Sequence, residues 1–179
     1  AAFWFLTIPA TVPASALGPH TPDLANGKVM FTAGGCVSCH AIPKQEDKTR
    51  LGGGLALGSP FGTFYVPNIS ADKTDGIGGW SEAQFITAMV KGTSPAGEHL
   101  FPAFPYSSYQ HMSLDDLRDL FAYLKTLPAV QGKVEFEASE EGREAEILEH
   151  LMRRAVADTF RHRLGGVDLN GLVEVFADG

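Results

Sequence analysis

The sequence predicts a helical domain with long irregular loops and a helical appendage at its C-terminal end. Three observations carry that prediction. Two segments, beginning at Ser81 and at Ser113, open with a helix-capping signal and continue with apolar residues at helical spacing. The 179 residues include 20 Gly and 11 Pro, which demands much loop and argues against a long regular bundle. The aromatic stretch Phe61 to Ile69 mixes Gly and Pro into its apolar residues, favouring irregular structure over a pair of strands.

In chain order, residues 1–22 carry no charged side chain apart from His20, and Phe3 to Ile8 is strongly apolar. Pro9 and Pro13 interrupt any helix there, and a full bilayer span needs about 20 predominantly apolar residues. The segment reads as the remnant of a signal anchor followed by a Pro/Ala/Ser linker; the plainer alternative is an apolar terminus without structure. Thr21-Pro22-Asp23 opens the first helix, with Leu24, Lys28 and Phe31 at helical spacing, and it runs into Gly34-Gly35. Gln45 to Arg50 and Leu51 to Gly54 form a loop whose glycines would let backbone approach a flat ligand. Ser81 to Gln84 is a capping box leading into Phe85, Ile86, Met89 and Val90, and Gly92 stops that helix. Ser113 caps another, with Asp115 and Asp116 in its first turn, a stripe of Leu114, Leu117, Leu120, Phe121 and Leu124, and Pro128 as its stop.

Near Gly132 the character changes. Residues 133–179 hold 11 of the 21 acids and 6 of the 14 bases, a net −5, against −2 for residues 1–132. Ile147, Leu148, Leu151, Met152, Ala155, Val156 and Phe160 describe an amphipathic helix from about Ser139 to Arg163, and a second runs from Leu169 to Phe176. The expected organisation is therefore 1–22, anchor remnant and linker; 23–132, the main domain; and 133–179, a helical appendage.

The chemistry sits in Cys36-Val37-Ser38-Cys39-His40, a C-x-x-C-H run. Two thiols three residues apart on a helical turn can each form a thioether to a haem vinyl group, and the next residue can turn its imidazole to the iron. A thioredoxin-like pair should follow a strand, whereas Lys28 to Gly35 reads as a helix ending in glycines. A zinc site needs further ligands, and these are the only two cysteines, which also excludes a disulfide framework. The formal net charge of −7 argues against phosphate neutralisation on nucleic acid as the main task. Covalent haem is ordinarily attached outside the cytoplasm, so a periplasmic location follows, with membrane association through the N-terminal segment.

From Leu24 to Pro128 the sequence resembles the single-haem units of cytochrome c subunits from membrane-bound alcohol, aldehyde and gluconate dehydrogenases. The resembling runs are Gly34 to His40, Pro60 to Ile69, Gly76 to Ser81 and Leu100 to Tyr109, followed by Met112-Ser113 and Asp116-Leu117. The resemblance implies an all-α cytochrome c fold in which Asp23–Thr32 crosses Ser113–Lys125. Many such subunits carry three haem motifs; this chain has one C-x-x-C-H run, which implies a mono-haem relative.

The sixth iron ligand is a separate question. Met30 and Met89 lie on helices where core packing is the ordinary reading, and Met152 belongs to the appendage. Met112 sits in an irregular Pro-rich segment just before a capped helix, where a loop can lay a thioether across the iron. In the resembled family the ligand methionine stands at the position of Phe104 or at that of Met112. Phe104 cannot ligate, so Met112 is the expected ligand opposite His40, with His111 as rival and Met89 third. His/Met ligation raises the reduction potential relative to two histidines.

The remaining histidines have plain readings: His20 and His99 as solvated loop residues, His150 and His162 on the polar side of the appendage helix. Phe64, Tyr65, Asn68 and Trp80 are either haem-crevice residues or ordinary core. No catalytic constellation is visible. Within the tail, Gly132 to Glu137, Glu141 to Glu144 and Leu148 to Leu151, continuing to Arg161, are similar to the C-terminal end of magnesium-chelatase-type AAA+ ATPases, although no Walker A loop occurs in the chain. The expected function is single-electron transfer through one covalent haem c, from a dehydrogenase toward a terminal oxidase. The alternatives are a haem sensor or enzyme with an open sixth site, and an interaction module acting through the acidic tail.

Overall fold

The computed structural model describes residues 8–59, 62–101, 103–132 and 137–138. The chain divides into two compact units, 1–57 with 65–135 and 58–64 with 136–179. The first holds helices α1 (Leu24–Ala33), α2 (Cys36–His40), α3 (Glu82–Lys91), α4 (Tyr106–Tyr109) and α5 (Leu114–Leu124). The helices expected beyond Ser139 lie outside the described residues.

Helix α1 starts where Asp23 accepts hydrogen bonds from the amides of Ala25 and Asn26. It crosses α5 as expected, and the closeness depends on Gly27. A Cβ there would stand 2.2 Å from the Asp119 carbonyl oxygen and 2.8 Å from Tyr123 Cβ. Beside it, Asn26 Nδ2 donates to Asp116 Oδ1 at 2.8 Å and to Asp119 Oδ2 at 2.9 Å, and Phe31 packs on the Tyr123 ring.

Helix α3 has the complete capping box, Ser81 accepting from the Gln84 amide and Gln84 reaching back to the Ser81 amide, and it ends at Gly92 with φ 63°. Helix α5 is capped by Ser113 and ends at Leu124, with Lys125 as its C-cap, three residues before Pro128. The apolar faces of α3 and α5 meet in the core, where the Phe85 and Phe121 rings stack 4.6 Å apart and Ile86 and Leu117 are fully buried. Met89 is buried in the same cluster. Arg118, also buried, reaches Glu82 at 3.0 Å and joins the two helices by charge.

The expectation of an all-α chain is corrected by a small sheet, in strand order β1 (Ala56–Ser59), β2 (Gly62–Tyr65), β3 (Glu137–Ala138). Strand β2 runs antiparallel to β3, with Gly62 opposite Ala138 and Thr63 opposite Glu137. Thr63, Phe64 and Tyr65 are β-favouring residues. The chain around them is already held extended, because Gly54 donates to the Val66 carbonyl and Val66 to the Leu55 carbonyl, both at 2.9 Å.

Residues 8–22 differ from a free linker. The Val12 amide donates to Thr87 Oγ1 at 2.9 Å, and Val12 and Leu17 pack against the core. His20 is not a solvated loop residue either: Nε2 lies 2.7 Å from Asp119 Oδ1 and Nδ1 3.3 Å from Asp115 Oδ1. Asp119 receives the Asp23 amide as well. Burial pushes the Asp119 carboxyl up, but the bonds from Asn26, the Asp23 amide and His20 together outweigh it and hold it below the usual carboxylate range. Among the described residues no helix is long and apolar enough to cross a membrane.

Candidate haem-attachment site

Gly35, at φ 66°, lets the chain leave α1 and re-enter a helix within two residues, so that Cys36, Cys39 and His40 share the single turn of α2. Their i, i+3, i+4 spacing places them on one side of that turn. Both thiols are free, Cys36 half-buried and Cys39 exposed. Burial pushes the Cys36 thiol up to about 11, opposed by a backbone hydrogen bond and reinforced by Cys39.

The orientation of His40 is fixed by a residue that composition and periodicity did not single out. Its Nδ1 lies 2.9 Å from the Pro67 carbonyl oxygen, so Nδ1–H donates there and Nε2 is the nitrogen left for a metal. Burial lowers the His40 pKa and the Pro67 bond opposes it, so the ring favours the neutral form that ligation requires. Pro67 is itself held by the loop opposite. Gly53 donates to the His40 carbonyl at 2.9 Å, and a Cβ on Gly53 would lie 2.2 Å from the Val66 carbonyl oxygen. The Gly52–Gly54 run was expected to admit a flat ligand; at Gly53, the space a side chain would take is filled by the backbone that aims His40. Only a carbonyl of Pro67 acts, which is why no side-chain signal marked it.

Asn68 resolves to a structural role. Buried, it donates to the carbonyls of Val130 at 2.6 Å and Gly132 at 3.0 Å and accepts from the Ser70 amide at 2.9 Å. Trp80 packs against the core cluster.

Met112 follows α4 in a turn, its amide donating to the Tyr109 carbonyl at 3.0 Å, and it is half-buried against the core cluster that also receives Cys36, Val37, Phe104 and Tyr109. His111, the rival, is exposed. The Tyr109 hydroxyl donates to the Gly34 carbonyl at 2.9 Å, tying this segment to the residues just before Cys36. Burial raises the Tyr109 phenol above its ordinary value, with smaller contributions from Cys36 and Cys39. Among the described residues no group of three or more His, Cys, Asp or Glu side chains could hold a metal ion by itself. The donor set fits a covalently anchored haem: two thiols and one imidazole with a free, aimed Nε2.

A family model described as cytochrome c matches residues 24–128. The chain is 49% identical over 110 residues to a diheme cytochrome c-type protein of Cereibacter sphaeroides, covering 60% of this chain and 37% of that one. It is 38% identical over 114 residues to the fructose dehydrogenase cytochrome subunit of Gluconobacter japonicus, covering 64% of this chain and 22% of the relative. It is 40% identical over 97 residues to the gluconate 2-dehydrogenase cytochrome c subunit of Pantoea cypripedii, covering 54% and 21%. The chain thus spans well under half the length of each of these relatives. The tail resemblance to AAA+ ATPases lies outside the family match and, beyond Gly132, almost wholly outside the described residues.

Proposed function

The chain belongs to the cytochrome c family, and from that premise we propose that it carries single electrons through one haem c bound to Cys36 and Cys39. In this reading His40 and Met112 are the iron ligands, the donor is a dehydrogenase and the acceptor lies toward a terminal oxidase. The observation that carries it is α2 itself: both thiols and the imidazole share one helical turn, and Pro67 holds Nδ1 so that Nε2 is presented. Dehydrogenase cytochrome subunits among the relatives support the donor class.

Haem iron held this way supplies a one-electron couple. The protein's part is positional. The Pro67 carbonyl makes the imidazole a better donor and fixes its tautomer. Met112, a soft thioether on a half-buried turn, would favour the reduced iron and raise the potential, which suits an acceptor of electrons from a dehydrogenase. A single C-x-x-C-H run and only two cysteines support one haem per chain. Because covalent haem is ordinarily attached outside the cytoplasm, the location proposed is periplasmic, at the inner membrane through the N-terminal segment. Haem staining after denaturing electrophoresis tests the covalent link. A chain that stains before but not after Cys36→Ala/Cys39→Ala substitution supports the reading, and an unstained wild type refutes it.

A further inference from the structure

We propose that Tyr109 is a positioning residue whose hydroxyl clamps the Met112 segment to Gly34, at the junction that leads into the haem-attachment helix, an inference that rests on Met112 as iron ligand. The Tyr109 hydroxyl donates to the Gly34 carbonyl across 75 residues of chain, at 2.9 Å. Gly34 is the C-cap of α1 and lies two residues before Cys36. A Cβ on Gly34 would stand 3.7 Å from Cys36 Sγ and 3.8 Å from Tyr109 Cε1, so the phenol ring and the attachment sulfur flank the same point. On its other side the ring leans on Phe104, centroids 5.5 Å apart.

Tyr109 also holds Met112 through the main chain, since the Met112 amide donates to the Tyr109 carbonyl at 3.0 Å. One residue therefore grips the junction just before the attachment helix with its side chain and the ligand-bearing turn with its backbone. One turn earlier, Tyr106 packs its ring on Gly92, where a Cβ would sit 2.8 Å from Tyr106 Cδ1. Tyr106 anchors by shape and Tyr109 by a polar bond, so only the loss of the second frees the Met112 turn without emptying a packed site. Removing the hydroxyl leaves the ring in place and releases a half-buried carbonyl. The turn then lifts from the iron more often, and an external ligand competes with Met112 more successfully.

The experiment is an imidazole titration of the full-length ferric protein, followed at the near-infrared band of methionine-ligated haem. Tyr109→Phe should bind imidazole about 2- to 12-fold more tightly than wild type, the range set by the net worth of one intramolecular hydrogen bond. Tyr106→Phe should match wild type. So should Ser81→Ala, which weakens the fold at a helix cap remote in sequence and separates ligand positioning from general loss of stability. A Tyr109→Phe affinity equal to wild type, with the band present in both, overturns the clamp and leaves Met112 as ligand. A wild type without the band overturns the Met112 assignment, and the clamp with it.

Discussion

Replacing Gly27 by Ala at the helix crossing should destabilise the protein, although Ala is the better helix former. Two effects oppose. In a helix interior Gly→Ala gains about 0.8–1 kcal/mol of propensity. Against it, the added Cβ would lie 2.2 Å from the Asp119 carbonyl oxygen, 2.7 Å from its carbon and 2.8 Å from Tyr123 Cβ. Two of those three atoms are helix backbone, which cannot swing aside as a side-chain tip does. The helices must therefore part by roughly an ångström, which strains the bonds from Asn26 to Asp116 and Asp119. Overpacking of this kind costs about 1–3 kcal/mol and occasionally more. Backbone contacts and coupled hydrogen bonds place this site at or above the upper end, so the net loss should be about 2 kcal/mol. Equilibrium urea unfolding reads it as a lower midpoint at unchanged slope. Gly18→Ala, with no atom within 4 Å of the new Cβ, is the control and should stay within about 0.5 kcal/mol of wild type. A Gly27→Ala protein as stable as wild type would show that the crossing is not limited by that contact.

Met112→Ala should abolish the near-infrared methionine band and lower the reduction potential, whereas Met89→Ala, truncating a buried core side chain, should cost roughly 2–5 kcal/mol in denaturant unfolding and keep the band. The opposite pattern would transfer the ligand role to Met89. Ser81→Ala should remove one half of the α3 capping box and cost about 1 kcal/mol, read from the urea midpoint. Asp116 and Asp119 are both held below the ordinary value of 3.8 in the folded state, Asp116 first by its bond from Asn26. Depressed carboxyls add stability that is full above the unfolded value and is lost as pH falls through the folded one. The urea midpoint should accordingly drop as pH falls below about 4, and Asp119→Asn should make that drop shallower; an unchanged slope would remove Asp119 from the acid response.

What could be read from the sequence was local. Ser81, Gln84, Gly92 and Ser113 act within a few residues of themselves, and α3 and α5 lie where these signals put them. The C-x-x-C-H spacing likewise states its own geometry once the turn is helical. The unreadable parts depend on distant partners. His20 looks like a loop histidine because Asp119, 99 residues away, leaves no periodic trace near it. Asn68 anchors the backbone at 130–132 across more than 60 residues, and Arg118 looks like a surface residue of an amphipathic helix until Glu82 is placed opposite. The strands were missed because Gly and Pro around 60–67 spoke for loop, while the chain beside them is held extended by Gly54 and Leu55 bonding to Val66. Pro67 contributes a carbonyl, which every residue type has, so nothing in its identity could mark it as the partner of His40.

The central claim, a haem held by two thioethers, is tested most directly by the intact mass of the chain after acid-acetone extraction, following production in a host that attaches haem outside the cytoplasm. The expected result is a mass of one haem above the 19.2 kDa polypeptide that survives extraction, and that is lost entirely in the Cys36→Ala/Cys39→Ala double variant. A bare polypeptide mass after extraction of the wild type would contradict it.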